Sequence, residues 1–226
     1  MTRMRSRSRE RTGRTGSTEY GGLGMVAGVA ALGLFFVLML VLIIGLTFSV
    51  RVDGTSMLPT LRSGDRLEVD IMAKHDIKRF DLVEATEPAY DGNAGGAAIV
   101  KRVIGMPGDQ IAIQGGTKPV VYLRPKGSRT TYRVDNPTWG PQIGSATSSC
   151  CSDKVTNVTG DGKMRWATVP ADSYFVMGDN WGGSTDSRMF GPVRASGIKA
   201  KLSLRIMPLG RFGRIGQGVR LVAHTD

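Results

Sequence analysis

Apolar residues are distributed along this chain in two different patterns, one continuous and one alternating. Residues 25–48 read MVAGVAALGLFFVLMLVLIIGLTF and contain no charged side chain. At ~1.5 Å per residue, a helix of this length spans about 36 Å, which exceeds the ~30 Å hydrocarbon core of a bilayer. The run is also longer than the ~7–15 apolar residues of a cleaved signal peptide. We therefore predict a retained transmembrane helix over 25–48.

Beyond this helix, short runs of alternating polar and apolar residues are separated by Gly, Pro and Asp. Alternation with a period of two is typical of strands with one buried face. The 31 glycines and 10 prolines also favour turns over helices. The pattern predicts a mainly β fold, in which the N-terminal transmembrane helix precedes an antiparallel β-sheet domain with an inserted smaller β lobe. The predicted strands lie at 66–71, 99–104, 110–114, 120–123, 130–134, 173–177 and 200–206.

Changes in composition divide the chain into six expected segments. They are a basic disordered tail at 1–24, the transmembrane helix at 25–48, the first part of the β domain at 50–114, an inserted variable lobe at 115–168, the second part of the β domain at 169–208 and a C-terminal tail at 209–226. The Arg-rich tail is expected to stay in the cytoplasm by the positive-inside rule. Everything after Arg51 is then extracytoplasmic.

Charge and rare residues exclude several classes of function. The formal net charge of +11 could suit nucleic acid, but no recognised motif or aromatic platform lies among the basic residues. Only two histidines are present, His75 and His224, so neither a metal site nor a Ser-His-Asp site is favoured. Cys150 and Cys151 are adjacent, and the sequence leaves their redox state open. No metal, cofactor or nucleic acid is expected.

The remaining candidates are a serine nucleophile and a lysine base. Ser56 lies in a Gly-Thr-Ser-Met segment, eight residues after Phe48, so an extended chain keeps it within roughly 28 Å of that residue. Lys101 shares one face of its predicted strand with Ile99 and Val103, where burial would lower its pKa. The residues alone leave two alternatives open. The Ser56 segment could be an ordinary turn, and Lys101 could lie on an edge strand and reach water.

Three segments in order behind the helix carry a family resemblance. They read GTSMLPTL at 54–61, KRVIGMPGD at 101–109 and GDNWGGSTDSR at 178–188, with a shorter DRLEV at 65–69. Together they resemble the signature boxes of bacterial type I signal peptidases, or leader peptidases, which are Ser/Lys-dyad serine proteases. The resemblance covers roughly 50–114 and 173–208, and the residues between match only as a variable lobe.

The resemblance implies a role for each matching residue. Ser56 matches the nucleophile, Lys101 the general base and Ser184 the serine that orients this base. Two charged pairs, Arg102 with Asp179 and Asp186 with Arg188, match supporting contacts between boxes. Apolar residues expected to line shallow substrate pockets are Met57, Ile99 and Val100. Gly54 departs from those members that carry a serine there, which leaves the second oxyanion donor open.

The implied activity is that of an endopeptidase in the bacterial plasma membrane. It would remove N-terminal signal peptides from exported preproteins after small residues, in an Ala-x-Ala-like pattern, through an acyl-enzyme. Its expected partners are preprotein substrates and the lipid bilayer, while the oligomeric state is undetermined. The alternative is a membrane-tethered, β-rich envelope-binding module without catalysis.

Overall fold

The N-terminal helix is the first of two compact units in the computed structural model, which describes residues 19–90, 92–115, 119–139, 165–216 and 218–224. Helix α1 occupies Glu19–Thr47. Within it, Gly24–Ile43 has a mean hydropathy of 2.9, which is long and apolar enough to cross a membrane. Side chains over this span are exposed within the unit, the arrangement expected of a helix that packs against lipid.

The helix boundaries differ from the prediction at both ends. α1 begins at Glu19, six residues before the predicted start, and ends at Thr47. The expected disordered tail is therefore wrong over 19–24, and residues 1–18 lie outside the described residues. The prediction followed hydropathy, which falls at Gly21 and Gly22. Glycines weaken a helix but do not always end it, and α1 continues through both.

In the second unit, which begins at Phe48, the described residues form short strands with few helical turns. Strands are β1 Ser49–Arg51, β2 Arg66–Glu68, β3 Leu82–Thr86, β4 Ala98–Gly105, β5 Gln110–Gln114, β6 Val120–Arg124, β7 Tyr132–Asp135, β8 Ala167–Thr168, β9 Ser173–Met177, β10 Val193–Arg194, β11 Ile198–Leu202, β12 Leu204–Met207, β13 Gly213–Arg214 and β14 Arg220–Ala223. A short helix, α2, spans Ser187–Phe190, and 3-10 turns lie at Met72–His75, Trp181–Gly183, Ala195–Gly197 and Leu209–Arg211.

These strands form three antiparallel sheets. Their orders are β1-β2-β12-β13 in the first, β10-β9-β4-β3-β11 in the second and β14-β7-β6-β5-β8 in the third. Every pairing between them is antiparallel. The predicted mainly β fold with an N-terminal apolar helix is confirmed.

Strand β4 is the central strand of the second sheet, with β3 and β9 on either side. Its two faces pack into different cores. Val103 belongs to one buried cluster, together with Val83 of β3. Ile104 faces the other way, into a cluster with Ile111 and Phe175. Because Lys101 is buried on this central strand, the alternative in which it reaches water from an edge strand is excluded.

The structure divides the predicted strand at 200–206 in two. β11 ends at Leu202 and belongs to the second sheet, whereas β12 starts at Leu204 and belongs to the first. The Ser203 carbonyl between them accepts a hydrogen bond from the Ile215 amide at 3.0 Å. Alternation continues through Ser203 without a break, so it reports which side chains face inward and not which strand is the partner.

The third sheet combines segments that the sequence analysis kept apart. β6 and β7 come from the expected lobe, and β5 comes from the end of the first part of the β domain. β14 comes from the expected C-terminal tail. β14 pairs with β7 over four residues, so 209–226 contains ordered strands. Cys150 and Cys151 lie outside the described residues.

Candidate active site

Ser56 lies in a loop between β1 and β2 that is closed by backbone hydrogen bonds. The Val52 amide donates to the Asp65 carbonyl at 2.8 Å, and the Gly64 amide donates to the Val52 carbonyl at 2.9 Å. Gly54 has a φ of +89°, a conformation that glycine adopts without strain. Met57, directly after the serine, is buried. The loop therefore holds Ser56 on a defined backbone.

Lys101 is buried at the start of the covered part of β4, with 3% of its surface exposed. Its side-chain amine makes no hydrogen bond or ion pair with another residue that the structure describes. Burial lowers its pKa from the ordinary value of 10.5, and the positive charge of Arg188 acts in the same direction. The carboxylates of Asp186 and Glu87 oppose this shift. The neutral amine is therefore more populated than in a solvated lysine.

One cavity brings these two side chains together with the three predicted substrate-binding residues. Ser56 and Lys101 both line it, and so do Met57, Ile99 and Val100. Its volume is about 160 Å³. No hydrogen bond between the Ser56 hydroxyl and the Lys101 amine is formed among the described atoms. Contacts of this kind are often long without substrate and shorten when substrate binds.

The loop after β9 packs against the Ser56 loop. The Asn180 amide donates to the Ser56 carbonyl at 3.0 Å, and Asn180 Nδ2 donates to the Thr55 carbonyl at 3.1 Å. A Cβ atom on Gly178 would lie 2.5 Å from the Ser56 carbonyl oxygen and would also collide with the Ser184 side chain. Only glycine therefore permits this approach.

Arg102 and Asp179 form a buried bidentate pair on the face of β4 opposite Lys101. Arg102 Nε donates to Asp179 Oδ1 at 2.8 Å, and Nη2 donates to Oδ2 at 2.6 Å. The hydroxyl of Thr60 also donates to Asp179. Arg102 Nη1 donates to the carbonyls of Phe80 at 2.9 Å and Gly216 at 3.0 Å. The pair thus joins β4, the Ser56 loop and the loop after β9.

Asp186 and Arg188 form the second predicted pair. Arg188 Nε and Nη2 each donate to the Asp186 carboxylate at 2.8 Å. The Gly178 amide donates to Asp186 Oδ2 at 2.9 Å. This pair therefore fixes Gly178, and its two charges act on Lys101 in opposite directions.

Comparison with known proteins identifies the family of this chain. A family model described as signal peptidase, peptidase S26, matches residues 25–207. The chain belongs to this signal peptidase family. It is accordingly a serine endopeptidase that removes signal peptides. The family is membrane-associated, and the N-terminal apolar helix of this chain is consistent with a membrane anchor. Family membership favours catalysis over the non-catalytic binding module.

Individual relatives show how far the similarity extends. Signal peptidase I of Bacillus caldolyticus is 35% identical over 168 residues, which cover 71% of this chain and 80% of the relative. Signal peptidase I of Streptococcus pneumoniae serotype 4 is 31% identical over 207 residues, covering 80% of this chain and 94% of the relative. A crystal structure of a signal peptidase I from Enterococcus faecalis V583 matches 56% of this chain and 97% of its own, with 22% identity and a TM-score of 0.40.

Ser184 departs from the contact that the signal peptidase resemblance implies. Its hydroxyl is buried and has no hydrogen-bond partner, so the expected bond to Lys101 is not formed in this structure. The Ser184 side chain instead packs against Gly178. A buried hydroxyl without a partner costs about 1–3 kcal/mol and does not contribute to stability.

The sequence analysis missed two residues that contact the site of this signal peptidase. Asn136 Nδ2 donates to Asp179 Oδ1 at 3.1 Å, and Trp139 Nε1 donates to the Gly178 carbonyl at 3.2 Å. Both belong to the segment interpreted as a variable lobe. The local signal was the Asn-Pro-Thr-Trp sequence, which is typical of a turn but does not indicate its partner.

The described residues contain no group of three or more His, Cys, Asp or Glu arranged to hold a metal ion. His75 and His224 are both exposed. The His224 ring lies 5.0 Å from the Tyr122 ring, in the third sheet. Neither histidine lines the cavity that contains Ser56.

Proposed function

We propose that this peptidase cleaves by acyl transfer, with Ser56 as nucleophile and Lys101 as general base. The observation that carries the proposal is the cavity lined by both side chains, in which the lysine is buried on the central strand. Lys101 Nζ takes the Ser56 proton as Oγ attacks the scissile carbonyl, and returns a proton to the departing amine. Water then hydrolyses the ester, with Lys101 again acting as the base.

The protonation state of Lys101 supports this role. A lysine with a pKa near 10.4 is only about 0.04% neutral at pH 7, and each unit of lowering raises that fraction about tenfold. Burial is the largest cause of the lowered pKa of Lys101. A histidine is therefore unnecessary for proton transfer. The Ser56 amide is a candidate oxyanion donor, whereas Gly54 has no side-chain hydroxyl to offer.

The size and lining of the cavity support cleavage after small residues. Pockets for drug-sized ligands measure roughly 300–1,000 Å³, whereas this cavity measures about 160 Å³ and is lined by Met57, Ile99 and Val100. In an extended substrate, alternate side chains point to the same face. The first and third residues before the cut would therefore face the enzyme together, which gives an Ala-x-Ala-like preference.

The proposed orientation follows from charge. The first 14 residues hold six arginines and one glutamate, whereas 25–48 hold no charge. By the positive-inside rule, the N-terminus remains cytoplasmic and the β domain lies outside the bacterial plasma membrane. Exported preproteins emerge on that side, with their own apolar segment still in the bilayer.

The test uses the full chain in detergent and a precursor peptide whose signal ends in Ala-x-Ala. Ser56→Ala is compared with Ser63→Ala, a control in the same loop whose side chain is exposed and does not line the cavity. We expect wild type and Ser63→Ala to cut after the second alanine, as mapped by mass spectrometry, and Ser56→Ala to be inactive. Cleavage by Ser56→Ala at the wild-type rate would place the nucleophile elsewhere.

A second peptide tests the specificity. Replacing both alanines by phenylalanine should prevent cleavage, because the two side chains would share a cavity of about 160 Å³, and a cavity of ~150 Å³ holds a single benzene ring. Equal cleavage of the alanine and phenylalanine peptides would contradict the proposed Ala-x-Ala preference but leave the dyad intact.

A further inference from the structure

We propose that the turn formed by residues 136–139 positions the Ser56 loop. Asn136 and Trp139 are positioning residues that do not touch the substrate. The inference rests on the proposed Ser56/Lys101 dyad. It assigns a catalytic contribution to a segment outside the family-like boxes.

The turn is closed by its own hydrogen bonds. Asn136 Oδ1 accepts from the Thr138 amide at 3.0 Å and from the Thr138 hydroxyl at 2.7 Å. The Trp139 amide donates to the Asn136 carbonyl at 3.0 Å. Pro137 restricts the backbone between them. Asn136 and Trp139 are therefore presented together, directly after β7 of the third sheet.

Asn136 uses its remaining polar group on Asp179. Its side-chain amide donates to Asp179 Oδ1 at 3.1 Å, with 7% of Asn136 and none of Asp179 exposed to solvent. Arg102 and Thr60 donate to the same carboxylate. Asn136 thus extends the charge network around Asp179 from the second sheet to the third.

Trp139 fixes the neighbouring peptide group. Its indole N–H donates to the Gly178 carbonyl at 3.2 Å, while the Gly178 amide donates to Asp186. The Gly178 carbonyl is therefore bonded by Trp139 of the expected lobe, and the Gly178 amide is bonded by Asp186. The Trp139 ring also packs edge-to-face on Trp181 at 5.1 Å, and the Arg188 guanidinium lies 4.7 Å above Trp181.

Gly178 transmits this positioning to the nucleophile. Its backbone approaches the Ser56 carbonyl so closely that a Cβ atom would not fit. A displacement of about 1 Å at a catalytic group can reduce the rate about 10²-fold. Met57, Ile99 and Val100 line the substrate cavity, and no residue of the turn is among the lining residues. Loosening the turn should therefore lower kcat more than it raises KM.

The pH profile gives a readout that separates positioning from general stability. Asp186, Arg188 and Glu87 act electrostatically on Lys101, and the ionisable groups that line the same cavity are Arg51, Asp53 and Glu84. Loosening the Gly178 loop would admit water and weaken the desolvation that lowers the Lys101 pKa. The acid limb of the kcat/KM profile should then move to higher pH.

The experiment compares Trp139→Phe and Asn136→Asp with matched controls in the full chain in detergent. Trp166→Phe makes the same change under Arg124, whose guanidinium lies 4.0 Å above the Trp166 ring and outside the cavity. Asn93→Asp keeps the acceptor for the Gly95 amide in an exposed turn. Thermal unfolding of each variant is recorded beside kcat, KM and the pH profile for the Ala-x-Ala peptide.

We expect both turn variants to lower kcat at least tenfold with KM within twofold of wild type, and Trp139→Phe to shift the acid limb upward. Both controls should keep wild-type kcat and pH profile at any unfolding midpoint above the assay temperature. A kcat of Trp139→Phe equal to that of Trp166→Phe would overturn the inference, and this comparison decides even where Asn136→Asp fails to fold. If Ser56→Ala also cleaves the peptide, the proposed function fails instead.

Discussion

Strand β4 carries two adjacent basic residues on its opposite faces, and the two faces of the strand provide different environments. Arg102 is 1% exposed, and its guanidinium donates to the Asp179 carboxylate and to two backbone carbonyls. Lys101 is 3% exposed, yet among the described residues its amine has no hydrogen-bond or ion-pair partner. Two basic side chains with nearly equal burial therefore differ in whether a carboxylate is bonded to them.

The difference explains how one strand supplies both support and chemistry. Burial disfavours any charged form unless a partner compensates. The buried charge of Arg102 is compensated by Asp179. Lys101 lacks such a partner, so its pKa falls and its amine can accept a proton. Arg102 thus holds the loops together, while Lys101 is available for catalysis.

The largest expected effect comes from Lys101→Met, which removes the base but retains an apolar chain of similar length. Loss of a general base reduces rates by about 10²–10⁴-fold. Stability should be unchanged or higher, because an unpaired buried amine is removed. Peptide cleavage and urea unfolding measure the two effects, with the exposed β11 residue Lys199→Met as control. Activity above a tenth of wild type would contradict the assignment of Lys101.

On the other face, Arg102→Met should reduce stability. Breaking a buried ion pair by removing one partner leaves the other charge uncompensated and costs about 3–5 kcal/mol. The control is Arg220→Met, whose ion pair with Asp135 is 2.9 Å long but whose side chain is 73% exposed. Pairs of that kind contribute roughly 0–1 kcal/mol. Equal losses in the free energy of unfolding for the two variants would remove the contrast between them.

A smaller effect concerns the pH dependence of stability. Because burial lowers the Lys101 pKa below 10.5, the folded chain releases this proton at a lower pH than the unfolded chain. Between the folded pKa and 10.5 the unfolded state binds more protons, so stability rises with pH there. Below the folded pKa both states are protonated, and the full burial penalty applies.

Wild type should therefore gain stability relative to Lys101→Met as the pH is raised towards 10.5, by at most about 1.4 kcal/mol per pH unit. The rate of peptide cleavage should increase over the range in which Lys101 loses its proton. Urea unfolding of both proteins across this range measures the difference in free energy. A difference that stays constant with pH would show that Lys101 titrates alike in both states.

Local sequence patterns predicted where the strands lie better than which strands pair with one another. β5 and β9 were predicted to the residue, because their alternation is bounded by turns. The division at Ser203 and the pairing of β14 with β7 depend on contacts between distant segments, about which alternation carries no information. The start of α1 was predicted six residues too late, because the helix extends towards the N-terminus beyond the point where hydropathy falls.

The candidate site shows the same limit. Alternation placed Lys101 on a face with Ile99 and Val103 but left central and edge positions open. The resemblance to known boxes, and not periodicity, distinguished Ser56 from the other serines. Asn136 and Trp139 reach the site from the third sheet, so neither their spacing nor their neighbours could indicate it. The contacts missed were those between sheets.

The smallest expected effect on stability is that of Ser184→Ala, and Ser187, three residues later in the chain, provides the comparison. The Ser187 hydroxyl accepts a hydrogen bond from the Val176 amide at 2.9 Å, whereas the buried Ser184 hydroxyl has no partner. Ser187→Ala leaves a buried amide unsatisfied and should cost about 1–3 kcal/mol. Ser184→Ala removes an unsatisfied group, so stability should change by less than about 1 kcal/mol or increase.

Activity then decides what the Ser184 hydroxyl does. If it orients Lys101 once substrate is bound, Ser184→Ala should lower kcat about tenfold or more at unchanged stability, while Ser187→Ala should lower stability with kcat nearly retained. Urea unfolding and peptide cleavage on both variants measure the two quantities separately. A Ser184→Ala protein with wild-type kcat would limit the catalytic groups to Ser56 and Lys101. The partnerless hydroxyl would then be a packing feature beside Gly178.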